Sequence, residues 1–529
     1  SPKIKDSVRK KLIEGKEMAF LSKELATICR NCPIDIDLDS FEIKNPDYEG
    51  LLEIYSKLEF RTFAEKLKNK MNTEGKKINI ELSLPDIIEL GSVFELESLL
   101  GNWDKIYIDY GRDYLSITAG VEIYKISAER FGNEFNKILE GILNSGAEIA
   151  IHDIKAFLRL FDINIKNKIK IFDIMLAAYL LNPSSSSYSI NSLKTEYLGG
   201  IESSEDYNPF IIYKLAPILK NKLIEYNMLK LFEEIEMPLA FVLYDMEKVG
   251  FRVDKEGIMT MGDSLQKDIN FLMKLIYELA GEEFNINSPK QLAHILYEKL
   301  HIPAGKKTKT GYRTDADTLE KLKGKYPIVE LILKYRQLTK LNSTYVEGLS
   351  KVIGDDGRIH TTFHQTVTQT GRISSTEPNL QNIPVRDEVG KELRRMFIAE
   401  NEDYILLDAD YSQIELRVLA HMSGDETMIN AFKEKADIHT VTASQVFGIS
   451  PELVTEEMRR RAKAVNFGIV YGISAFSLAE DIKVTNKEAK LYIDNYFKRY
   501  KKIKEFLDKT VEEAKQNGYV TTWFGRRRW

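Results

Sequence analysis

Residues 459–472 read RRRAKAVNFGIVYG, and this stretch says most about the fold of the chain. Arg459, Lys463, Phe467 and Tyr471 recur at every fourth position. Because an α-helix turns by about 100° per residue, these residues drift by only about 40° per step and share one helix face. Cations bind phosphate oxygens and aromatic rings stack on flat bases, so this face is suited to a nucleoside triphosphate. An amphipathic helix with a basic first half and a buried aromatic second half is the alternative interpretation.

Length and composition are those of an ordinary intracellular protein. The 529 residues exceed what one hydrophobic core supports and predict about three domains. A hydrophobic fraction of 43% and a charged fraction of 29% are typical of a water-soluble protein. No apolar run approaches a membrane span, and the opening SPKIKDSVRKK contains no apolar signal core. We therefore expect a cytoplasmic protein with no membrane partner.

The net charge of -5 gives no overall indication of a nucleic-acid partner, but basic residues cluster locally. The three clusters are Lys306, Lys307, Lys309 and Arg313; Arg459, Arg460, Arg461 and Lys463; and Arg526, Arg527 and Arg528. Such clusters on an acidic protein are compatible with binding to a phosphate backbone. A solvated helix or loop face is the alternative for any one of them.

Hydrophobic patterning divides the chain into three regions. Residues 1 to about 75 have helical spacing, and residues about 76–230 alternate short β-rich runs with helical stretches. The predicted strands lie in 77–84, 103–111 and 114–127, and the predicted helices in 135–146 and 171–182. Helices dominate from about 231, where two long amphipathic helices flank the loop GKKTKTGYRTD. Thr485 and Glu488 have the spacing of a capping box that opens a further helix.

Residues 404–417, YILLDADYSQIELR, predict a strand, a polar turn and a helix. Asp408 and Asp410 would point to the same side at the strand end, because strand side chains alternate. A carboxylate there is a hard oxygen ligand for Mg²⁺, which takes one or two carboxylates together with substrate phosphates. A solvated turn or a helix N-cap aspartate is the alternative.

Three segments together resemble the family A DNA polymerases: TGRISSTEPNLQNIPVR at 370–386, DYSQIELR at 410–417 and the helix at 459–472. The resemblance implies an α/β multidomain fold, a right-hand polymerase (palm, thumb and fingers) with a ribonuclease H-like 3′–5′ exonuclease-type domain. The implied regions are the tail of a 5′-nuclease region and junction (1–75), a degenerate exonuclease-like domain (76–230) and a polymerase domain (231–529). Within the last, the thumb is expected at about 256–350, the palm at about 351–425 and the fingers at about 426–529.

The resemblance also assigns roles to residues that match the family motifs. Asp410 and Lys463 would be catalytic, and Asp410 and Tyr411 would bind the first of two Mg²⁺ ions. Residues implied at the dNTP are Arg459, Phe467, Tyr471, His439, Glu415 and Gln413, with Glu415 excluding a ribose 2′-hydroxyl. Residues implied at primer–template DNA are Arg372, Asn379, Gln381 and Arg526. The cations of the loop between the two long helices are also expected to contact DNA phosphates, because of their local charge; they are Lys306, Lys307, Lys309 and Arg313. A monomer in the bacterial cytoplasm, close to the nucleoid, is expected.

The exonuclease-like region departs from the family pattern at its carboxylates. Asp109 is present in YIDYG, but Gly111 stands where the family has a glutamate and Ala156 where it has a second carboxylate. No Tyr-x-x-x-Asp element occurs between positions 206 and 214. Two metal ions need about three or four carboxylates. We therefore predict no proofreading, unless Asp153 or Asp173 compensates.

The second departure is at the end of the chain. The chain stops at Trp529, and the second palm aspartate of the family, in a His-Asp-Glu turn, has no counterpart within it. The sequence therefore predicts a C-terminally truncated polymerase or one piece of the enzyme, with the second metal-ligand set incomplete. The C-terminal segment of the palm is then expected as a separate chain or as the rest of a longer one.

The expected function is DNA-templated addition of dNTPs to a primer 3′ end by two-metal phosphoryl transfer. Two alternatives stay open. A noncatalytic DNA-binding fragment would bind primer–template without extending it. A single-subunit RNA polymerase shares the palm aspartate and the fingers lysine and tyrosine, but Glu415 disfavours it because ribonucleotides need room for a 2′-hydroxyl.

Overall fold

The computed structural model describes residues 13, 15–28, 47–58, 60, 63, 66–67, 84–163, 169–199, 203–303, 307–308, 311–384 and 388–529. Its contacts divide the chain into two units, Ser1–Glu81 and Leu82–Trp529. The described part of the first unit contains two helices, α1 (Lys16–Ala26) and α2 (Tyr48–Lys57), which agrees with the predicted helical character. The strand predicted at 77–84 lies outside the described residues, apart from Leu84.

A six-stranded mixed sheet organises the first part of the second unit, in the order β1-β4-β3-β2-β5-β6. Strand β3 is antiparallel to both β2 and β4, whereas β2, β5 and β6 run parallel, as do β1 and β4. The strands are β1 (Ile87–Glu89), β2 (Lys105–Gly111), β3 (Tyr114–Thr118), β4 (Ile123–Ser127), β5 (Glu148–Ile151) and β6 (Ile171–Asp173). The predicted strands at 103–111 and 114–127 are confirmed, the latter as the two strands β3 and β4.

Helices pack around this sheet and share one hydrophobic core with it, which extends from Leu90 to Tyr244. They are α3 (Val93–Leu100), α4 (Ala128–Phe131), α5 (Phe135–Leu143), α6 (Ile154–Phe161), α7 (Ile174–Leu181), α8 (Ile190–Leu198), α9 (Asn208–Glu225), α10 (Leu229–Leu231) and α11 (Met237–Val249). A π-helical turn, Phe232–Glu236, joins α10 to α11. The helix predicted at 171–182 begins later than predicted, because Ile171–Asp173 pairs with β5 as strand β6.

A second core lies between two long helices, as predicted. Helix α12 (Lys255–Ala280) presents Ile258, Leu265, Ile269, Leu272 and Ile276 along one buried stripe. That stripe packs on α15 (Pro327–Leu341), which continues through the π-helical segment Asn342–Glu347 into α16 (Gly348–Ser350). The shorter helices here are α13 (Pro289–Ala293), extended by the π-helical segment His294–Lys299, and α14 (Ala316–Glu320). Helix α17 (Glu388–Arg395) adds Leu393 to the same core.

Helices after residue 413 surround a third core, from Leu416 to Ile503. They are α18 (Ile414–Ser423), α19 (Glu426–Lys433), α20 (Ile438–Phe447), α21 (Glu456–Val470), α22 (Ala475–Ile482), α23 (Asn486–Arg499) and α24 (Lys501–Asn517). The predicted capping box is confirmed, since Thr485 and Glu488 exchange hydrogen bonds at the start of α23. None of the helices in the described ranges has the length and apolar character of a membrane span.

Four short two-stranded ladders complete the described part of the fold. They pair β7 (Phe251–Arg252) with β10 (Arg358–Ile359), β8 (Lys307–Thr308) with β9 (Gly311–Tyr312), β11 (Thr362–His364) with β12 (Ser374–Thr376), and β13 (Val520–Thr521) with β14 (Arg527–Arg528). All four pairs are antiparallel.

The prediction of a strand at 404–410 is wrong. This segment has no secondary structure, and its apolar side chains are exposed, with Ile405 at 85% and Leu407 at 86%. A strand is held by hydrogen bonds to a neighbouring strand, and no described strand pairs with these residues. The pattern identified an apolar segment, but without a partner it does not form a ladder.

Candidate functional site

Helix α21 presents the predicted face of two cations and two rings. Thr455 caps the helix by accepting a hydrogen bond from Met458 N at 3.2 Å. The opposite face is buried, through Ala462, Val465, Asn466, Gly468 and Ile469. Tyr471, at the C-cap, is 61% exposed, and the Nζ atom of Lys463 lies 6.0 Å from the centre of the Phe467 ring. The rings therefore border an open surface, which favours the nucleotide-binding interpretation over a wholly buried aromatic half.

Arg459 does not point freely into solvent but forms a two-pronged ion pair with Asp437. Its Nε lies 2.6 Å from Oδ2 and its Nη2 lies 3.2 Å from Oδ1. Asp437 is also the N-cap of α20, accepting hydrogen bonds from His439 N and Thr440 N. Burial acts to raise the pKa of Asp437, but hydrogen bonds from Arg459 and Thr440 outweigh it and lower the pKa to about 2. Asp437 therefore stays ionised and holds Arg459 in place.

His439 reaches α21 but is almost wholly buried, with 3% exposed. The Nδ2 group of Asn466 lies 3.1 Å from its Nδ1, and its ring centre lies 5.8 Å from that of Phe467. Burial lowers the pKa of His439, with the charges of Arg459 and Lys463 acting in the same direction. The predicted phosphate contact is therefore not available in this conformation, in which His439 packs behind the ring of Phe467.

Three segments distant in sequence converge at the C-terminal end of α21. The hydroxyl of Tyr471 donates to Glu415 Oε1 at 3.4 Å and accepts a hydrogen bond from Arg372 Nη2 at 3.2 Å. Arg372 Nη2 also lies 3.9 Å from Glu415 Oε1. A loop, the first turn of α18 and the end of α21 thus meet at one point, which brings residues of the three motifs together.

The remaining motif residues lie beside the Arg372 loop and at the start of α18. Gln381 donates from Nε2 to Ile373 O at 2.9 Å, and Asn379 Oδ1 accepts from Gln381 N at 3.0 Å, so both lie beside the Arg372 loop. Gln413 is the N-cap of α18 and has a left-handed backbone, with φ of 54°. It sets the turn between the exposed segment that contains Asp410 and the helix that carries Glu415.

Asp410 and Tyr411 are exposed on that segment, next to the exposed Asp408. Carboxylate oxygens in open solvent are chemically suited to Mg²⁺. Within the described ranges, however, no three His, Cys, Asp or Glu side chains come together in a way that could hold a metal ion. The chain therefore offers one or two oxygen ligands at this position rather than a complete metal cage.

The basic loop GKKTKTGYRTD, which is predicted to contact DNA, is only partly described by the structure. Lys306 and Lys309, and the side chain of Lys307, lie outside the described residues. Arg313 is described, and its Nε pairs with Asp315 Oδ2 at 2.8 Å. The prediction that this loop contacts DNA therefore rests on the sequence alone for the lysines. Arg313 is described, in an exposed ion pair with Asp315.

Arg526, which the resemblance implies at primer–template DNA, is engaged within the protein in this conformation. Its side chain is only 15% exposed and pairs with Glu236, which is 4% exposed. Gln365 Nε2 donates to Glu236 Oε2 at 3.0 Å, so the carboxylate is held from two sides. The physical reason is charge compensation, because a buried carboxylate without a cation is strongly destabilising.

The Asp109 carboxyl, on the inner strand β2, is covered rather than open to solvent. Tyr114 donates from its hydroxyl to Asp109 Oδ2 at 3.2 Å, and a Cβ at Gly111 would run into the Tyr114 ring. The ring thus occupies the space of the missing Gly111 side chain. Burial raises the pKa of Asp109 to about 6 despite hydrogen bonds from Asn208 and Tyr114. Asp109 is therefore a buried carboxyl group held by neighbouring side chains.

Asp153 and Asp173 both accept hydrogen bonds from backbone N–H groups. Asp173 is buried, and its oxygens accept hydrogen bonds from the backbone N–H groups of Asp153, Ile154, Met175 and Leu176. Asp153 caps α6 through Ala156 N. Burial followed by the charge of Asp153 raises the pKa of Asp173. Both carboxylates are thus engaged in capping the helices that follow β5 and β6.

The protein-family model that describes DNA polymerase family A matches residues 255–529 of the sequence, just over half of the chain. The chain belongs to DNA polymerase family A. This agrees with the three motifs and with their convergence at Tyr471.

Curated relatives extend the similarity to the whole chain. DNA polymerase I of Caldicellulosiruptor bescii is 43% identical over 541 residues, covering 100% of this chain and 62% of the relative. DNA polymerase I of Bacillus subtilis is 41% identical over 554 residues, covering 99% and 62%. The chain thus spans 62% of the length of these relatives.

A solved structure matches the polymerase fold. It is the POL domain of Pol1 from M. smegmatis in complex with DNA primer-template and dNTP, with a TM-score of 0.75 and 34% identity. The match covers 84% of this chain and 81% of that one. The α/β polymerase fold of the family is therefore confirmed.

The residues that hold the site in place are not among those predicted from the sequence. Asp437 is one of them, although an aspartate directly before IHT has the position of an N-cap. Asn466, which contacts His439 and Thr442, lies on the buried side of α21. Tyr114, which covers Asp109, had no local signal, because its partner is set by the β2–β3 register.

Proposed function

We propose that the whole protein is a DNA-templated DNA polymerase that adds dNTPs to a primer 3′ end by two-metal phosphoryl transfer. The observation that carries this proposal is the meeting of Arg372, Glu415 and Tyr471 at the end of the cationic face of α21. Membership of family A supports it, as does a structural neighbour that contains primer-template DNA and dNTP. Primer–template DNA and dNTPs are accordingly the proposed partners of a monomeric, cytoplasmic protein.

In this proposal α21 holds the incoming nucleotide along its length. Arg459 and Lys463 bind the phosphates, and Lys463 offers a proton to the leaving pyrophosphate. Phe467 and Tyr471 pack against the sugar and base, and Glu415 fills the space that a ribose 2′-hydroxyl needs. Arg459 exchanges its partner Asp437 for a phosphate, so nucleotide binding includes breaking a 2.6 Å contact. Movement of α20 relative to α21 is required for His439 to reach the triphosphate, which fits induced closure around a correct nucleotide.

The proposed cofactor is Mg²⁺, two ions per site, for which Asp410 and Tyr411 supply ligands on the exposed segment before α18. Bound Mg²⁺ neutralises the charge that develops during phosphoryl transfer. The ligand set offered by this chain is incomplete for the second ion. Asp410 fits the first because its carboxylate is exposed and next to the turn at Gln413.

We also propose the finer domain assignment. The strand order β4-β3-β2-β5-β6, with only β3 antiparallel, supports a ribonuclease H-like fold for the exonuclease-like region. Because its core extends to Tyr244, this region reaches beyond the expected boundary at about 230. The core around α12 and α15 corresponds to the thumb (about 256–350), and that around α20 and α21 to the fingers (about 426–529). The palm is placed at about 351–425 and the 5′-nuclease tail at 1–75.

A noncatalytic DNA-binding fragment is the second candidate, favoured by the incomplete oxygen-ligand set around Asp410. Such a protein binds primer–template but does not extend it at any Mg²⁺ concentration. A single-subunit RNA polymerase is disfavoured by the contact of Glu415 with Tyr471, which places a carboxylate in the proposed sugar pocket. Comparing dNTP with rNTP incorporation separates the two polymerase classes.

Primer extension by the whole protein tests the proposal through Asp410→Ala. Loss of a metal ligand is expected to remove about 3 kcal/mol or more of transition-state stabilisation, a fall of at least about a hundredfold in rate. Asp408→Ala is the matched control, since it removes the same charge from the same exposed segment and is expected to change the rate by no more than a few-fold. Equal effects of the two substitutions would contradict the assignment of Asp410, and no extension by the unsubstituted protein would favour the DNA-binding candidate.

A further inference from the structure

The loop between β11 and β12 contains Arg372. Contacts from other elements of the protein hold this loop in place. It closes on itself through Thr368 Oγ1, which donates to Arg372 O at 2.6 Å and accepts a hydrogen bond from Thr370 Oγ1 at 3.5 Å. Gly371 within it has a φ of +85°, a conformation that side-chain-bearing residues adopt only with strain. Polar connections of this length are mobile unless other parts of the protein anchor them. The position of the Arg372 guanidinium therefore depends on what holds the loop from beneath.

One anchor comes from the exonuclease-like region. Tyr179 of α7 is completely buried, and its hydroxyl donates to Thr368 O at 2.8 Å. Its ring packs edge-on against Tyr188, with ring centres 5.9 Å apart. A fully buried ring has little freedom to move, so its hydroxyl is a fixed reference point for the first residue of the closed turn.

A second contact braces the same loop. The Arg526 guanidinium lies 5.7 Å from the centre of the Tyr179 ring, and a Cβ at Gly371 would lie 2.7 Å from Arg526 Nε. Arg526 is itself fixed by Glu236. Gln369, one residue beyond Thr368, accepts a hydrogen bond from Arg528. Tyr179 thus lies at the centre of a buried contact set that supports residues 368–371.

We propose that Tyr179 is a positioning residue that sets the location of Arg372, and so of its contacts with Tyr471, Glu415 and primer–template DNA. This gives the exonuclease-like region a role at the polymerase site that requires no metal and no nuclease chemistry. The part of the proposal that concerns DNA rests on the proposed function, whereas the anchoring of the loop does not.

The test compares two tyrosine hydroxyls in the same region. Tyr179→Phe removes the hydrogen bond to Thr368 O and keeps the ring. Tyr110→Phe is the matched control, because its hydroxyl donates to a backbone carbonyl, Asp153 O, at the same 2.8 Å, away from the loop. Amide hydrogen exchange of residues 368–372 is measured in both variants of the full chain, together with the dissociation constant for a fluorescent primer–template. The same affinities are measured in an Arg372→Ala background.

We expect Tyr179→Phe to speed exchange in residues 368–372 by about fivefold and to raise the dissociation constant by about the same factor, as for loss of one hydrogen bond. Tyr110→Phe is expected to do neither. In the Arg372→Ala background, Tyr179→Phe should add nothing, because its effect passes through Arg372. Unchanged exchange in 368–372, or an equal loss of affinity with and without Arg372, would overturn the proposal. If the unsubstituted chain binds no primer–template, the proposed function fails, and the exchange measurement still decides whether Tyr179 anchors the loop.

Discussion

Tyr471 and Glu415 touch through a single phenol–carboxylate contact, and this contact defines the wall of the proposed sugar pocket. The Glu415 side chain is 38% exposed and has no closer partner than the Tyr471 hydroxyl and Arg372 among the described contacts. In the proposed site, a carboxylate at this position would block a 2′-hydroxyl by volume and by charge.

Glu415→Ala is therefore expected to raise rNTP incorporation relative to dNTP incorporation by at least about tenfold. The measurement is the ratio of kcat/KM for a dNTP and the matching rNTP in primer extension by the whole protein. Glu426→Ala, on the next helix, is a control at an acidic residue away from the pocket. An unchanged sugar preference in Glu415→Ala would contradict the gate.

The burial of Asp109 predicts how the stability of the folded protein changes with pH. Its pKa is raised to about 6 in the folded protein, so the folded state loses stability as the pH rises from about 4 through about 6. At pH 7.5 the penalty is fully present, and below about pH 4 it is absent.

Asp109→Asn removes the buried charge and keeps an acceptor for the Tyr114 hydroxyl. We expect this variant to be more stable than the unsubstituted chain at pH 7.5, by up to about 3 kcal/mol, and to lose that advantage near pH 4. Urea unfolding at both pH values, followed in the sheet region, makes the measurement. A gain of the same size at both pH values would show that charge is not its cause.

At the scale of elements, α21 depends on how its first turn begins. Arg459 N donates to Thr455 O at 2.9 Å, so the residue proposed to bind phosphate lies directly above the cap. Loss of the Thr455 side chain leaves a helical N–H without its partner and loosens this turn.

Thr455→Ala is expected to cost about 1 kcal/mol of stability and to raise the KM for dNTP in primer extension. Thr485→Ala removes the corresponding cap of α23, a helix with no proposed site residue, and should cost a similar amount without changing that KM. If both variants change the KM equally, the effect is one of global stability, and the importance of the first turn of α21 would be refuted.

At the scale of the whole molecule, the described chain builds its second unit on three hydrophobic cores. The first core supports the sheet whose inner strand β2 carries Asp109, with Tyr114 packed over it. Within the described ranges, no three acidic, histidine or cysteine side chains are arranged to bind a metal ion. The region proposed to be exonuclease-like thus combines a hydrophobic core with a buried Asp109 that is hydrogen-bonded to Tyr114.

We accordingly expect mismatched primers and single-stranded DNA to stay full length when incubated with the protein and Mg²⁺ or Mn²⁺ in the absence of dNTPs. Gel analysis of end-labelled DNA makes the measurement, with Asp109→Ala as the control. Progressive 3′ shortening that disappears in Asp109→Ala would show that Asp153 or Asp173 completes a working metal centre after all.

Periodic patterns predicted the helices well, because the evidence for a helix is contained in neighbouring residues. The four-residue spacing of α21, the apolar stripes of α12 and α15, and the capping box of α23 were all visible in the chain itself. Motif spacing likewise identified Arg372, Glu415 and Tyr471, and with them the family. These features depend on interactions within one helix turn or on side-chain chemistry that the residue type already fixes.

Tertiary structure alone decided which of those residues are open and which are engaged. The strand predicted at 404–410 has no partner among the described strands, and Arg526, implied at primer–template DNA, is paired with Glu236 at a distance of 290 residues in sequence. Tyr114 over Asp109, Asp437 beside Arg459 and Tyr179 beneath the Arg372 loop are likewise contacts between elements. A strand needs a neighbour and a buried charge needs a counter-charge, and the identity of either partner is set by how the elements pack rather than by the local sequence.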